Sequence, residues 1–269
     1  MKTETEDGRQ TPDAGEPKTA VQPEKTAKTL KLITKLLAKA ESTPFPAEAQ
    51  AFQEHAERLM VRYGIEQASI DAEAGKLGKP QEPIVEEQVE FGGQYRVGQA
   101  RGFTSIALAF NTVRVLQANS TTAKILYLIG AESDVAQVLR LFGSLRLQLE
   151  ATMRVWWLNY PYKDFLSAHE KTLERRQFQL GFLLTVADRI AAIYSDEVAS
   201  GGPGNELVLA SRRDRADEHV NMLYPVLRAA RRQSMSMGSA TAHSAGKYAG
   251  TMARVSSEVN AAARHSLDV

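Results

Sequence analysis

Residues 29–65 read TLKLITKLLAKAESTPFPAEAQAFQEHAERLMVRYGI. In the first half, Leu30, Ile33, Leu36, Leu37 and Ala40 recur at helical spacing and form one apolar stripe. Lys28, Lys31, Lys35 and Lys39 fall largely on the remaining surface. Pro44 and Pro46 then interrupt the helix, because each lacks a backbone donor and pushes the preceding residue out of the α region. A second helix is expected to open at Pro46, a residue suited to the first helical position, with Glu48 in the first turn where the helix dipole favours an acid. Ala49, Phe52, Ala56, Leu59, Met60 and Tyr63 make its apolar face, and Gly64 is expected to end it, with Ile65 folding back on the last turn. Two apolar stripes joined by a short turn predict a helical hairpin.

The same residues carry a family resemblance. Lys31-Leu32-Ile33, Leu36-Leu37-Ala38-Lys39-Ala40, Glu41-Ser42-Thr43, Glu48-Ala49, the small Ala51 and Ala56, and Leu59-Met60 with Tyr63-Gly64 resemble the N-terminal module of domain-of-unknown-function family 2786. The Pro-Phe-Pro turn departs from the more polar turn of that pattern. Further on, Tyr127-Leu-Ile-Gly-Ala-Glu-Ser-Asp-Val135, Phe178-Gln-Leu-Gly-Phe182, Tyr224-Pro225 and Gly246-Lys-Tyr-Ala-Gly250 resemble landmarks of the larger uncharacterised domain that often accompanies it, over roughly residues 81–257. The resemblance implies a phage or mobile-element context and leaves the activity open.

The 269 residues suffice for a sizeable core, and 43% hydrophobic with 24% charged side chains is ordinary for a globular chain. The absence of cysteine removes disulfides, thiolate metal sites and Cys nucleophiles together. No apolar run approaches the roughly 20 residues that span a bilayer. The opening Met-Lys-Thr-Glu-Thr-Glu-Asp has no signal-peptide pattern, so a cytoplasmic protein without a membrane partner is expected. Net charge is +1 but unevenly placed: residues 1–98 hold 13 basic and 17 acidic side chains, whereas residues 99–269 hold 20 and 15. The basic C-terminal part points toward phosphate-rich partners.

Along the chain, residues 1–22 are polar and read as a disordered tail. The hairpin module spans 23–74, with a short third helix at 66–74, and 75–83 reads as a linker. A larger domain is expected over 84–257 and a tail over 258–269. Within it, 84–91, 113–118 and 124–129 read as strands, the last two joined by a hairpin turn at 119–122, and Gly130 is expected to end the third. Helices are expected at 99–111 and from Asp134, with Ser133 as its N-cap, through an apolar stripe to Trp156, Trp157 and Tyr160 before Pro161. Another runs over 164–197 and packs antiparallel to it. Gly201-Gly-Pro-Gly204 is a joint, 206–210 a short strand, 214–232 a helix, and a last strand lies near 252–255 in an Ala-, Ser- and Gly-rich tail. The fold class is α+β: a helical hairpin plus a small, mostly antiparallel sheet with long packed helices.

Candidate chemistry is sparse. None of His55, His169, His219, His243 and His265 has a zinc-helix partner, and His219 beside Asp217 and Glu218 reads as a solvated face, so neither metal nor cofactor is expected. Gly201-Gly-Pro-Gly204 lacks the Gly-Lys-Ser/Thr ending of a phosphate cradle. Gly246 and Gly250 flank Lys247, which fits close helix packing, a turn into a last strand, or a phosphate contact. Glu132 and Asp134 bracket Ser133 as helix-capping residues would, and no Gly-x-Ser-x-Gly elbow occurs. No catalytic residue is selected, and whether the chain is an enzyme stays open.

Nucleic acid leads among the functional signals. Arg212, Arg213, Arg215, Arg228, Arg231 and Arg232 fall in one segment, Arg175 and Arg176 lie mid-helix, and Lys247 follows. For these arginines themselves a solvated face is the leading reading, part of their charge being offset by Asp214, Asp217 and Glu218. Base reading by the hairpin is disfavoured, since its turn is long for that motif and Glu48, Glu54 and Glu57 would face the phosphates. Two functions of different class therefore stand, with a third beside them. The first is a binding or adaptor protein with nucleic acid as leading ligand. The second is an enzyme on nucleic acid or protein, in which Glu132, Asp134 or His219 converge with Lys247. The third is a protein-docking module exposing Phe52 and Tyr63. Oligomeric state is not legible.

Overall fold

The computed structural model describes residues 22–120, 122–228 and 238–255. In chain order they form α1 (Gln22–Ser42), α2 (Pro46–Lys76), β1 (Ile84–Phe91), α3 (Arg96–Ala109), β2 (Arg114–Asn119), β3 (Lys124–Ala131), α4 (Glu132–Leu158), a 3-10 turn (Lys163–Phe165), α5 (Ala168–Gly201), α6 (Pro203–Leu223) and α7 (Ala240–Thr251). The fold is α+β, with long helices around a three-stranded antiparallel sheet of order β1-β3-β2.

The hairpin forms as its stripes require. Ile33, Leu36, Leu37 and Ala56 are buried together, with Phe52, Leu59 and Met60 packed around them. Gly64, however, does not cap α2, which continues to Lys76 as one helix. A mid-helix glycine costs about 1 kcal/mol relative to alanine. Here the continuation places Ile65 and Ala68 in the main core, which offsets that cost. The left-handed glycine lies further on, at Gly78 (φ 66°). Residues 77–83 are tied down: the Glu82 N–H donates to Asp71 Oδ1 at 2.6 Å, and Gln81 Nε2 to the Asp71 carbonyl at 3.2 Å.

β3 is the central strand, and its near-continuous apolar run is explained by burial on both faces. Side chains alternate across the sheet. Phe91, Leu126 and Leu128 join Phe103 of α3 and Phe142 of α4 in the main core. On the opposite face α6 packs, where Tyr224 Oη donates to Glu86 Oε2 at 2.8 Å and Arg114 pairs with Asp217. β3 runs through Gly130 to Ala131, past the expected stop. The expected strand at 206–210 is instead the first half of α6, opened by Pro203 after Gly202 (φ 78°).

The region expected as a tail contains α7, seated on α5. Close approach requires glycine there: a Cβ added at Gly246 would lie 2.0 Å from the Phe178 carbonyl oxygen, and one at Gly181 2.2 Å from that of His243. No strand forms at 252–255 because side chains take its backbone groups. Arg189 donates to the carbonyls of Gly250 and Ala253, Glu57 accepts the Val255 N–H, and Gln148 Oε1 accepts the Arg254 N–H.

Candidate nucleic-acid interface

The arginines of α6 turn inward. Arg212 is 3% exposed. Its Nη1 donates to Asp134 Oδ1 at 2.9 Å, its Nη2 to Glu82 Oε2 at 2.6 Å, and its Nε lies 3.7 Å from Asp71 Oδ2. Arg215 donates to Asp71 Oδ2 at 2.6 Å and to the Glu82 carbonyl. Two guanidiniums thus face three carboxylates delivered by α2, the 77–83 segment and the start of α4. Burial raises the Asp134 carboxyl above its ordinary value, against the pull of Arg212. Arg212 and Arg215, expected among phosphate contacts, are committed to this lock, because a buried cation needs partnered acids.

Glu82 also corrects the reading of the α4 start. The helix begins at Glu132 with Ala131 as N-cap and no side-chain cap. Glu82 supplies the anion from outside, accepting the Ser133 N–H at 2.5 Å and Ser133 Oγ at 3.0 Å.

The remaining candidates scatter. Arg213 Nη1 reaches Asn111 Oδ1 at 3.4 Å, and Arg228 is exposed beyond α6. Arg231 and Arg232 lie outside the described residues. Lys247 is exposed on α7, which packs on α5, while His219 sits on α6 over the sheet and Asp134 is held by Arg212. These groups do not converge on a cleft. A cavity of about 20 Å³ beside Glu57, Phe110, Gln137 and Tyr194 has room for a water but not a substrate. Among the described residues no group of three or more His, Cys, Asp or Glu is arranged to hold a metal ion. Phe52 and Tyr63 are half-buried, so neither offers an open apolar face.

Arg175 has a different setting, at the corner where α4 gives way to α5. Trp156 is anchored by stacking on buried Phe178 (centroids 4.7 Å apart, 22°). Trp157 and Tyr160, three residues apart on the helix end, are near-parallel (5.5 Å, 14°). The Arg175 guanidinium lies 4.3 Å from the Trp157 centroid, as the antiparallel course of α4 and α5 allows. Tyr162 stands edge-on to Tyr160 and is 64% exposed, and Phe165 is 86% exposed.

The local charge is net positive. Residues 154–176 hold Arg154, Lys163, Lys171, Arg175 and Arg176 against Asp164, Glu170 and Glu174. Glu170 closes the capping box of α5 with Ser167, whose hydrogen bonds lower its carboxyl. Glu174 is buried and accepts the Ser239 N–H at 2.8 Å and Ser239 Oγ at 2.5 Å, and Tyr160 Oη donates to it at 3.4 Å. Burial and that neighbouring carboxylate raise the Tyr160 hydroxyl. Arg176 is half-buried, its Nε without a hydrogen-bond partner. The sequence marks the aromatic helix end and the Arg175-Arg176 pair separately. Their juxtaposition, and the exposure of Arg154, Tyr162 and Phe165, come from packing.

Residues 28–67, covering most of α1 and the first two-thirds of α2, match the model of a family described as a protein of unknown function (DUF2786). No curated protein and no solved structure matches the chain.

Proposed function

We propose that this is a non-enzymatic binding protein whose ligand is nucleic acid, engaged at the α4–α5 corner. The supporting observation is the half-exposed ring ledge of Trp157 and Tyr160 with Arg175 over it. Every base has a π-face, and stacking on such rings contributes about 1–3 kcal/mol per base. Arg154, three residues before Trp157 on α4, is an exposed cation suited to phosphates. Arg154, Lys163, Lys171, Arg175 and Arg176 outnumber Asp164, Glu170 and Glu174 there, so the field at the corner favours a polyanion.

A fluorescence anisotropy titration with DNA and RNA oligonucleotides at two salt concentrations tests this. The expected result is binding that weakens as salt rises, and that falls at least about tenfold for Trp157→Ala or Arg175→Ala with the thermal midpoint little changed. Absence of binding at low salt overturns the proposal. The exposed Phe165 and Leu158 would then point to docking of another protein.

A further inference from the structure

We infer that the ligand is a single strand that crosses two surfaces, its bases on the α4–α5 ledge and its backbone on the lysine face of α1. This rests on the nucleic-acid reading above. Half-exposed ring faces are reached by bases that are already unstacked, which a duplex does not present.

The second surface is built by α1. Lys28, Lys31, Lys35 and Lys39 are all exposed, and their spacing puts them on one helix face. They span about 16 Å at the α-helical rise. No acid occurs between Thr26 and Ala40, so the stripe is uninterrupted. The opposite side of α1 buries Ile33, Leu36 and Leu37 on α2, which fixes the lysines outward. Lys31 and Lys35 have no acidic partner among the described residues.

The two surfaces are physically continuous. Glu41, at the end of α1, pairs with Arg254 at 2.8 Å and is thereby neutralised. Arg254 in turn exchanges two hydrogen bonds with Gln148 of α4, at 2.7 and 2.9 Å. Gln148, Ala151, Arg154 and Trp157 follow every third residue, a row that crosses the outer face of a helix obliquely. This row covers about 14 Å along α4 and carries one charge, that of Arg154. Glu150 beside it pairs with Arg146 at 3.5 Å. A strand leaving the ledge along this row meets Arg254 at the flank of α1 that carries Glu41, and must turn around that helix to reach the lysines.

The test compares oligonucleotides of about 5 and about 20 nucleotides, bracketing common single-strand site sizes, for wild type, K31E/K35E and W157A. Long single strands should bind at least about tenfold tighter than short ones. K31E/K35E should remove that advantage, leave the short strand unchanged, and flatten the salt dependence by about 0.7 per lost lysine contact. W157A should weaken both lengths, and a milder K31Q/K35Q variant should show the same pattern as K31E/K35E in smaller measure. If the lysine variants change nothing, or duplex binds as tightly as single strand, the two-surface inference is overturned while binding at the corner stands. If wild type binds neither length, the nucleic-acid reading itself fails.

Discussion

The α6 face and the α4–α5 corner both begin as arginine pairs in the sequence, and they end in opposite environments. Arg212 and Arg215 meet Asp71, Glu82 and Asp134, acids that lie remote in sequence and on three separate segments. Arg175 meets an indole. At the corner, Glu170 is held by a helix cap and Glu174 by Ser239, Asp164 stays exposed, and the cations outnumber the acids. Formal charge along a segment therefore says little about its field. What matters is which acids the fold brings in.

The largest effect that would break this contrast is Arg212→Met. It leaves Asp134 buried and Glu82 half-buried without their main cation, a situation that costs about 3–5 kcal/mol. Urea unfolding should show the loss, and Arg175→Ala, at its half-exposed ring, should cost about 1 kcal/mol or less. Comparable losses would mean that the corner arginine is structural too. Next comes Gly246→Ala. Its methyl meets the Phe178 carbonyl, and the overpacking should cost about 2–3 kcal/mol. Because α7 begins at Ser239, which holds Glu174 in place, displacing the helix should also free that carboxylate to swing toward the corner and weaken oligonucleotide binding. A variant that loses stability yet binds normally would separate α7 from the ledge.

Smaller in stability terms, but decisive for ligand binding, is Trp157→Ala. The ring is half-exposed, so its removal should lower the thermal midpoint only modestly. Affinity for an oligonucleotide should fall about tenfold or more. Tyr162→Ala and Phe165→Ala separate base stacking from general stickiness, since their rings are more exposed than Trp157 but carry no cation. A loss with Trp157 alone favours the Arg175-backed ring as the stacking site.

What the sequence made legible follows from locality. The limits of β1 and the buried stripes of α1 and α4 are written in patterns a few residues long, and the structure agrees with them. Gly64 misled because its local preference to end a helix is outweighed by Ile65 and Ala68 reaching the core. α7 was hidden because its Ala-, Ser- and Gly-rich composition looks like a tail. Its small residues are there for close approach to α5, which only the partner helix reveals. The site split the same way. Arg175 and the aromatic helix end were each readable, but nothing local says that residue 175 lies over residue 157. Nor does anything near Arg212 announce Asp71 or Glu82.

The smallest effect sharpens the comparison at the edge of α6 itself. Asp217 lies on the same helix as Arg212 but at its sheet side, paired with Arg114 and partly exposed. The Arg114 hydrogen bond lowers the Asp217 carboxyl below its ordinary value. Its stabilising contribution is therefore complete above the unfolded value near 3.8 and is lost as pH falls through the lower folded one. Asp134 has the opposite sign: burial raises it, so the folded chain keeps that proton longer, and its contribution declines as pH rises from the ordinary to the raised value. Asp217→Asn should accordingly cost about 0.5–1 kcal/mol at neutral pH, discounted for exposure, and progressively less in acid. Urea midpoints of wild type and D217N, followed from neutral pH into the acid range, measure this. A difference that stays constant would make Asp217 a packing residue, and the inward-facing side of α6 would then be held by charge only at the Arg212 lock.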